Sequence, residues 1–306
     1  MKKTGYAMPF TYEVVQHKKD NHEFIQITGF EGEVRDLVIP AEIDGKSVEA
    51  IGNHAFSGRN DIRTVQIPET VKILYGFSFH NCRNLYKISL YDSIDDYYDG
   101  VCRQCDSLTD IDITIKRNWY EVIRNFLADN DKTLRFTIHR QQETSQLTFP
   151  EYVYDFADNT MARTIQFSIS GSGYAYRECV DRRKINYREY DKLFEKALID
   201  GNMISEDIAV GRLIYPNELD DSFRTIYEDY ARANMKDILE RLVQRASQEI
   251  DTTGVIRALN QYGKDLVSDE ALDHGLKLAT EKGLTLVSAA LMDKHQDNSS
   301  ALEFKF

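Results

Sequence analysis

Cysteine is scarce in this chain, which contains four cysteines among 306 residues. So few cysteines exclude the dense disulfide framework of small secreted domains and agree with a reducing compartment. Long apolar runs are missing too, because no stretch approaches the roughly 18 apolar residues of a membrane span. Near the start, Gly5, Pro9 and Thr11 interrupt what would be the apolar core of a signal peptide. We therefore expect a cytoplasmic protein, with a cell-surface or secreted location as the alternative if a leader has been removed.

Basic residues are in the minority. The chain has 50 acidic and 38 basic residues, which gives a formal net charge of −12. This overall charge repels the phosphate backbone of nucleic acids and anionic membrane surfaces, so we expect neither as a partner. The hydrophobic content of 42% and the length allow about two domains, each with its own core. The sequence does not indicate an oligomeric state.

Complete catalytic and metal-binding motifs are absent as well. Cys102 and Cys105 form a C-x-x-C without a second pair, so we interpret them as repeat positions. The acidic stretch 92–99 lacks the ligand spacing of a calcium loop and is typical of a solvated loop. The segment 171–173, Gly-Ser-Gly, lacks the lysine of a phosphate-binding loop. We therefore predict no enzyme activity, catalytic residue, bound metal or cofactor.

A short repeat dominates the first half of the chain. The pattern apolar-x-x-apolar-x-apolar occurs three times at a constant step of 23, at Ile62, Val65 and Ile67, at Leu85, Ile88 and Leu90, and at Leu108, Ile111 and Ile113. An earlier copy begins at Val34, and a further step of 23 reaches Leu134 and Phe136. Each unit contributes a short strand with an apolar edge that it cannot bury alone, so the units must stack. Phe56 and Phe79 also repeat, with Cys102 in the next unit, and predict a buried column.

Two segments resemble a known repeat family. The stretches LVIPAEIDGKSVEAIGNHAFSG and TVQIPETVKILYGFSFHNCRNLYKISL resemble BspA-type leucine-rich repeats, whose signature is IP, then IG, then AF, then C-x-x-L. Residues 10–30 resemble the hairpin cap that often precedes the first repeat. The resemblance implies a solenoid over residues 30–140 that binds proteins or other macromolecules, often at a bacterial cell surface.

The pattern changes after the repeats. The stretch RNWYEVIRNFLADND predicts a short helix that covers the last repeat, because its apolar residues follow helical spacing. In residues 141–186, strand-like alternation on both sides of Gly171–Gly173 predicts a β-hairpin bridge. Tyr174, Tyr176, Arg177 and Arg183 could form a small aromatic and basic site there, but a packed sheet edge is the simpler interpretation.

From Tyr187 onward, helical spacing predicts several short helices stacked as hairpins. EKGLTLVSAALMDK is weakly similar to an ankyrin-type second helix, and NMKDILERLVQRA is similar to it when Ile238 is matched with Leu286. The predicted architecture is therefore α+β: a leucine-rich-repeat β-solenoid, a β-hairpin bridge and an all-α helical-hairpin domain. The predicted limits are 1–30 for the cap, 31–140 for the repeats, 141–186 for the bridge and 187–306 for the helical domain.

Repeat arithmetic also predicts a candidate binding face. The residues that flank the inward pairs point outward in two columns: Asp36, Thr64, Lys87, Asp110 and Thr133, and Val38, Gln66, Ser89, Asp112 and Arg135. Solubility alone requires polar residues there, but a mixed-charge stripe can also select a complementary partner. The candidate binding residues are Gln66, Lys87, Ser89, Asp110, Asp112 and Arg135. The leading hypothesis is a non-catalytic scaffold for a protein or peptide; the alternatives are an enzyme with a site in 141–186 or in the interdomain seam, and a cell-surface adhesin.

Overall fold

The computed structural model describes residues 3–7, 9–17, 21–159, 164–263 and 265–293. It shows the predicted α+β architecture, a β-solenoid followed by helices. The chain divides into two compact units, residues 1–200 and 201–306. Helices over residues 187–200 belong to the first unit, whereas the sequence pattern groups them with the later helices. The domain limits drawn from the sequence stay a prediction.

Strands dominate the N-terminal unit. They are β1 (Lys3–Ala7), β2 (Phe10–Gln16), β3 (Glu23–Phe30), β4 (Asp36–Val38), β5 (Glu42–Ile43), β6 (Lys46–Ile51), β7 (Thr64–Gln66), β8 (Ile73–Leu74), β9 (Lys87–Tyr91), β10 (Asp96–Tyr97), β11 (Asp110–Ile115), β12 (Leu134–Arg140), β13 (Glu143–Phe149), β14 (Val153–Asn159) and β15 (Thr164–Ser170). Its helices are α1 (Glu121–Asp129), α2 (Gly173–Arg177), α3 (Tyr187–Lys192) and α4 (Phe194–Asp200).

The turns of the solenoid build two sheets. Within the described residues, one sheet has the strand order β13-β12-β11-β9-β7-β4, and we call it the repeat sheet. The other has the order β1-β2-β3-β6-β8-β10, with β5 added to β6. Val65 pairs with Ile88 and Ile88 pairs with Ile111, which confirms the repeat step predicted for these units. Leu37 pairs with Val65, which confirms the longer first step from the copy that begins at Val34.

The last step differs from the prediction. Phe136, not Leu134, pairs with Ile111, so the step from β11 to β12 is longer than the step from β9 to β11. The physical reason is the helix α1, which lies in this turn and lengthens the path of the chain. Arg135 therefore lies beside Asp110, and Thr133 precedes the strand.

The core of the repeats has the predicted aromatic column. The rings of Phe56 and Phe79 stack with centroids 5.2 Å apart, and both side chains are buried together with Cys102. The cysteine thiols repeat one hydrogen bond, because Cys82 Sγ donates to the carbonyl of Phe56 at 3.1 Å and Cys105 Sγ donates to that of Phe79 at 3.1 Å. All four cysteines are free thiols.

Both ends of the solenoid are covered. At the start, β2 and β3 form an antiparallel pair, and β3 lies parallel to β6. At the end, α1 buries Val122, Ile123, Phe126 and Leu127, which confirms the predicted helix. The carboxylate of Asp129 fixes this helix by accepting hydrogen bonds from the Tyr97 hydroxyl and from the amides of Gly100 and Cys102.

The hairpin predicted around residues 171–173 is wrong in its position. The strands β14 and β15 pair antiparallel, so the hairpin precedes these residues, and its turn lies outside the described residues. Tyr174 and Tyr176 lie in α2, not in a strand. The helix is favoured by tertiary contacts: the Tyr176 ring packs on Tyr190, with centroids 4.7 Å apart. Glycine is required at position 173, because a Cβ there would lie 2.1 Å from the carbonyl oxygen of Pro150.

The C-terminal unit is helical in its described residues. It contains α5 (Asn202–Ile214), α6 (Asp221–Ser247), α7 (Thr253–Gln261), α8 (Asp269–Glu281) and α9 (Thr285–Met292). Tyr227 and Leu239 both lie in the single helix α6, which has 27 residues and is longer than the short helices that the sequence predicted. Ser205 lies inside α5, and its hydroxyl donates to the carbonyl of Gly201. The two segments with similar sequences differ in structure, because the one around Ile238 lies inside α6 and the other spans the short α9.

Candidate binding face

The outward side of the repeat sheet carries the residues proposed for binding. Two columns of residues cross its strands, and we call the two columns together the repeat face. The first column consists of Asp36, Thr64, Lys87, Asp110 and Arg135, and the second consists of Val38, Gln66, Ser89, Asp112 and Thr137. Five of the six candidate residues lie in their predicted columns. Arg135 lies in the other column, because the last step is longer than the sequence predicted.

Four of the five charged residues of the repeat face pair with one another, and the fifth, Asp36, accepts a hydrogen bond from the Thr64 hydroxyl. Lys87 Nζ lies 3.4 Å from Asp112 Oδ2, and Arg135 Nε lies 3.0 Å from Asp110 Oδ1. His139 Nε2 lies 3.1 Å from the other Asp112 oxygen. The predicted stripe of mixed charge is therefore present, but its internal ion pairs leave little net charge to attract a partner.

A depression of about 260 Å³ lies along the second column. Its lining includes Gln66, Ser89 and Asp112, three of the predicted residues, and also Pro68 and Tyr91, which sequence reasoning missed. Differences in strand length explain it. Strand β7 ends at Gln66, before a proline that has no N–H to donate, whereas β9 continues to Tyr91 and β11 to Ile115. The missed signal is that the Ile-Pro pair follows β4 and β7 but not β9 or β11.

Two polar side chains lie in the middle of the depression. Gln66 is exposed and Ser89 is half-buried, and neither side chain makes a hydrogen bond within the described part of the chain. At one end, Val38 has 55% of its surface exposed. At the side, the ammonium of Lys116 lies 5.1 Å from the centroid of the Tyr91 ring. The depression can therefore offer hydrogen bonds in its centre and an aliphatic contact at its end.

The cysteines are poor candidates for chemistry. Cys82, Cys102 and Cys105 are buried, and the neighbouring Cys105 thiol together with burial raises the pKa of Cys82. Burial raises the pKa of the Cys179 thiol to about 12. A thiol must ionise to act as a nucleophile or metal ligand, so these residues are structural. No group of three His, Cys, Asp or Glu side chains within the described ranges is arranged to hold a metal ion.

The acidic stretch 92–99 is only partly the solvated loop that the sequence predicted. Asp92 is 1% exposed, and its carboxylate accepts hydrogen bonds from the amides of Lys116, Arg117 and Trp119. Asp95 is exposed and pairs with Arg117 at 2.9 Å. Asp92 therefore fixes the loop between β11 and α1. The acidic cluster was visible in the sequence, but nothing in its spacing indicated which carboxylate is buried.

Of the aromatic and basic residues of 174–183, Tyr174 and Arg177 both contact the Tyr152 ring, whereas Tyr176 and Arg183 lie elsewhere. The guanidinium of Arg177 donates to main-chain carbonyls, and burial lowers its pKa to about 10. These carbonyls belong to Leu127, Asn130, Lys132, Pro150 and Gly173. Arg183 lies over the Trp119 ring, with its guanidinium carbon 4.9 Å from the centroid, and Tyr176 is fully buried. These residues hold the end of the solenoid together.

Residues 34–146 match the family described as BspA type leucine rich repeat region, in six copies. This stretch is a BspA-type leucine-rich-repeat region. The BspA-type region includes β4 to β12, and so the whole repeat face. Among curated proteins, none matches the chain significantly. Of the described helices, none is both long and apolar enough to cross a membrane.

Solved structures of leucine-rich repeat proteins are similar to part of this chain. A leucine-rich repeat protein from Bacteroides ovatus is 20% identical over 44% of this chain and 37% of its own, with a TM-score of 0.30. A leucine-rich repeat protein from T. pallidum is 19% identical over 36% of this chain and 71% of its own, with a TM-score of 0.25. A leucine rich cell surface protein from Faecalibacterium prausnitzii is 14% identical over 51% of this chain and 59% of its own, with a TM-score of 0.26. The chain thus spans little more than a third of the Bacteroides ovatus protein.

Proposed function

We propose that the repeat face binds a protein or peptide partner and catalyses no reaction. The observation that carries the proposal is the depression, in whose centre Gln66 and Ser89 have no hydrogen-bond partner within the described residues. Side chains that serve only solubility need no shared concavity, whereas binding sites are concave and hold a few convergent polar groups. The residues proposed to contact the partner are Gln66, Lys87, Ser89, Asp110, Asp112 and Arg135.

An enzyme is the competing function, and its site would lie in 141–186 or in the interdomain seam. Within 141–186, the guanidinium of Arg177 is occupied by main-chain carbonyls, and the main chain of β13 is bonded by the Tyr190 hydroxyl from α3. Catalytic groups must reach a substrate, which these buried contacts do not allow. The binding function is therefore the better supported of the two.

The proposed partner is neither nucleic acid nor membrane lipid, because the net charge of −12 repels both. For the location we propose the cytoplasm, because buried thiols that stay unpaired suit a reducing compartment. The alternative is the cell surface, where an adhesin would use the same face. Fractionation of the source cell with an antibody against the chain distinguishes the two.

Site-specific photo-crosslinking tests the binding function. A benzophenone amino acid is placed at Asp36 or Thr64 on the repeat face, and at Lys196 on α4 as the matched control, since Lys196 is exposed but lies off this face. After irradiation in the source cell, the proposal predicts a discrete crosslinked protein from the first two positions and not from Lys196. The same products from all three positions, or products from none, would contradict the proposal.

A further inference from the structure

The depression on the repeat face offers a ligand no carboxylate or cation that is free of an ion pair. Asp112 is the one charged residue of its lining, and both carboxylate oxygens are already engaged, by Lys87 and by His139. A partner cation would have to compete with these contacts. The Gln66 amide and the Ser89 hydroxyl, like the Tyr91 and Thr114 hydroxyls of the lining, have no hydrogen-bond partner among the described residues, and all four groups are neutral. We infer that the depression takes an uncharged, extended peptide segment of the partner and binds its main chain, an inference that rests on the proposed function.

The size of the depression favours an extended chain over a helix. Val38, Gln66, Ser89 and Asp112 lie on four adjacent strands, and at about 4.8 Å per strand they span about 14 Å. A helix about 10–12 Å in diameter would touch this open depression along one side only, whereas an extended chain can lie along its length with its main-chain groups against Gln66 and Ser89. About four extended residues, at about 3.3–3.4 Å each, cover the span.

The chemistry of the lining fits a peptide main chain. A glutamine amide both donates and accepts hydrogen bonds, and so does a serine hydroxyl. Gln66 and Ser89 can therefore satisfy an N–H and a C=O of an extended peptide without regard to its side chains. Val38 and Pro68 add an aliphatic surface, which selects one apolar side chain of the segment.

A neutral sugar chain would use the same hydrogen-bonding groups. Sugars, however, commonly stack on the open face of an aromatic ring. Tyr91 is the aromatic residue of the lining, and the ammonium of Lys116 lies against its ring, 5.1 Å from the centroid. The exposed aliphatic side chain of Val38 also suits an apolar peptide side chain better than a hydroxylated ring. The peptide is therefore the favoured ligand.

Selection from a library of random, phage-displayed dodecapeptides on the full chain tests the inference. Selected peptides are made with blocked ends, and their affinity is measured by calorimetry at 50 and 500 mM NaCl. We expect peptides with an aliphatic residue and little net charge, whose affinity changes less than about twofold with salt, because no new ion pair forms. Gln66→Ala should weaken binding about fivefold, which corresponds to one lost hydrogen bond. The matched control Gln244→Ala, on an exposed site of α6, should leave the affinity unchanged.

Several results would overturn the inference. They are selected peptides that are strongly charged and salt-sensitive, an affinity that Gln66→Ala does not alter, or no enrichment over the unselected library. Binding of a glycan array in a Gln66-dependent way, without peptide binding, would make the depression a sugar site. Crosslinking from Asp36 and Thr64 separates these failures from a failure of the proposed function, because it captures any protein on the repeat face, extended or not.

Discussion

The Tyr190 hydroxyl bonds twice to the main chain of Thr148: it donates to the carbonyl at 2.7 Å and accepts from the amide at 2.9 Å. Thr148 lies in β13, the last strand of the repeat sheet. A free strand edge presents unpaired main-chain groups and invites pairing with another chain. One buried side chain from α3 therefore does at this residue what a further strand would do.

Tyr190→Phe should lower the free energy of unfolding by about 2 kcal/mol, because it leaves a buried amide and a buried carbonyl without their partner. Urea denaturation followed by the fluorescence of Trp119, the only tryptophan, measures this loss in the N-terminal unit. The matched control is Tyr174→Phe, since Tyr174 has 44% of its surface exposed. Equal effects of the two changes would show that the Tyr190 hydroxyl does not stabilise the sheet edge.

Phe79→Ala should cost about 3–5 kcal/mol, the usual penalty for emptying a fully buried phenylalanine site. The loss includes the stacking on Phe56 as well as the burial of the ring. The same urea titration measures it. Phe77→Ala, at a half-buried position close by in the same turn, is the control and should cost clearly less. A loss below about 1 kcal/mol for Phe79→Ala would remove the aromatic column from the account of stability.

Asp92→Ala should destabilise the N-terminal unit by about 3 kcal/mol, because three main-chain amides lose a buried carboxylate. Asp95→Ala removes only an exposed ion pair with Arg117 and should cost less than about 1 kcal/mol. Thermal unfolding of the two variants side by side gives the comparison. If Asp95→Ala proved as costly as Asp92→Ala, the acidic stretch would act as a whole and not through Asp92.

Asp61 predicts a specific pH dependence. Hydrogen bonds from the Arg59 guanidinium lower the pKa of Asp61 to about 2. A carboxylate with a lowered pKa stabilises the folded state above its unfolded pKa of about 3.9, and this stabilisation is lost as the pH falls through about 2. Asp61→Asn should therefore cost about 1–2 kcal/mol at pH 7, and the difference from the unchanged protein should shrink between about pH 4 and pH 2. Urea titrations across this range measure it; a difference independent of pH would contradict the assignment.

The repeats could be predicted from the sequence because their spacing depends on residues close in the chain. Ile62, Leu85 and Leu108 each begin a unit whose length sets the pairing of its strand with the next. The repeat spacing did not predict the pairing of β11 with β12, because the helix α1 lies in the turn between them. Helix α1 was recognised from its apolar spacing, but the extra length that it adds to the path depends on how it packs, which spacing does not show.

Tertiary contacts determine the features that the sequence pattern did not predict. Tyr174 and Tyr176 alternate as in a strand, yet the packing of Tyr176 on Tyr190 and the hydrogen bonds of Arg177 favour a helix. The candidate face was predictable as a column of outward residues. Its depression was not, because that feature arises from a difference in length between β7 and β9. The ion pairs of the repeat face could not be predicted either, because they depend on the positions of the side chains.

The affinity of the Ser89→Leu variant for the partner that crosslinking identifies tests most directly whether the depression binds that partner. The larger side chain fills the middle of the depression, and because the position is half-buried at the surface, stability should change by no more than about 0.5 kcal/mol. Ser247→Leu, on an exposed site of α6, is the matched control. The account predicts that surface plasmon resonance shows at least tenfold weaker binding for Ser89→Leu and unchanged binding for Ser247→Leu. Unchanged affinity in a folded Ser89→Leu variant would contradict it and place the binding site elsewhere on the chain.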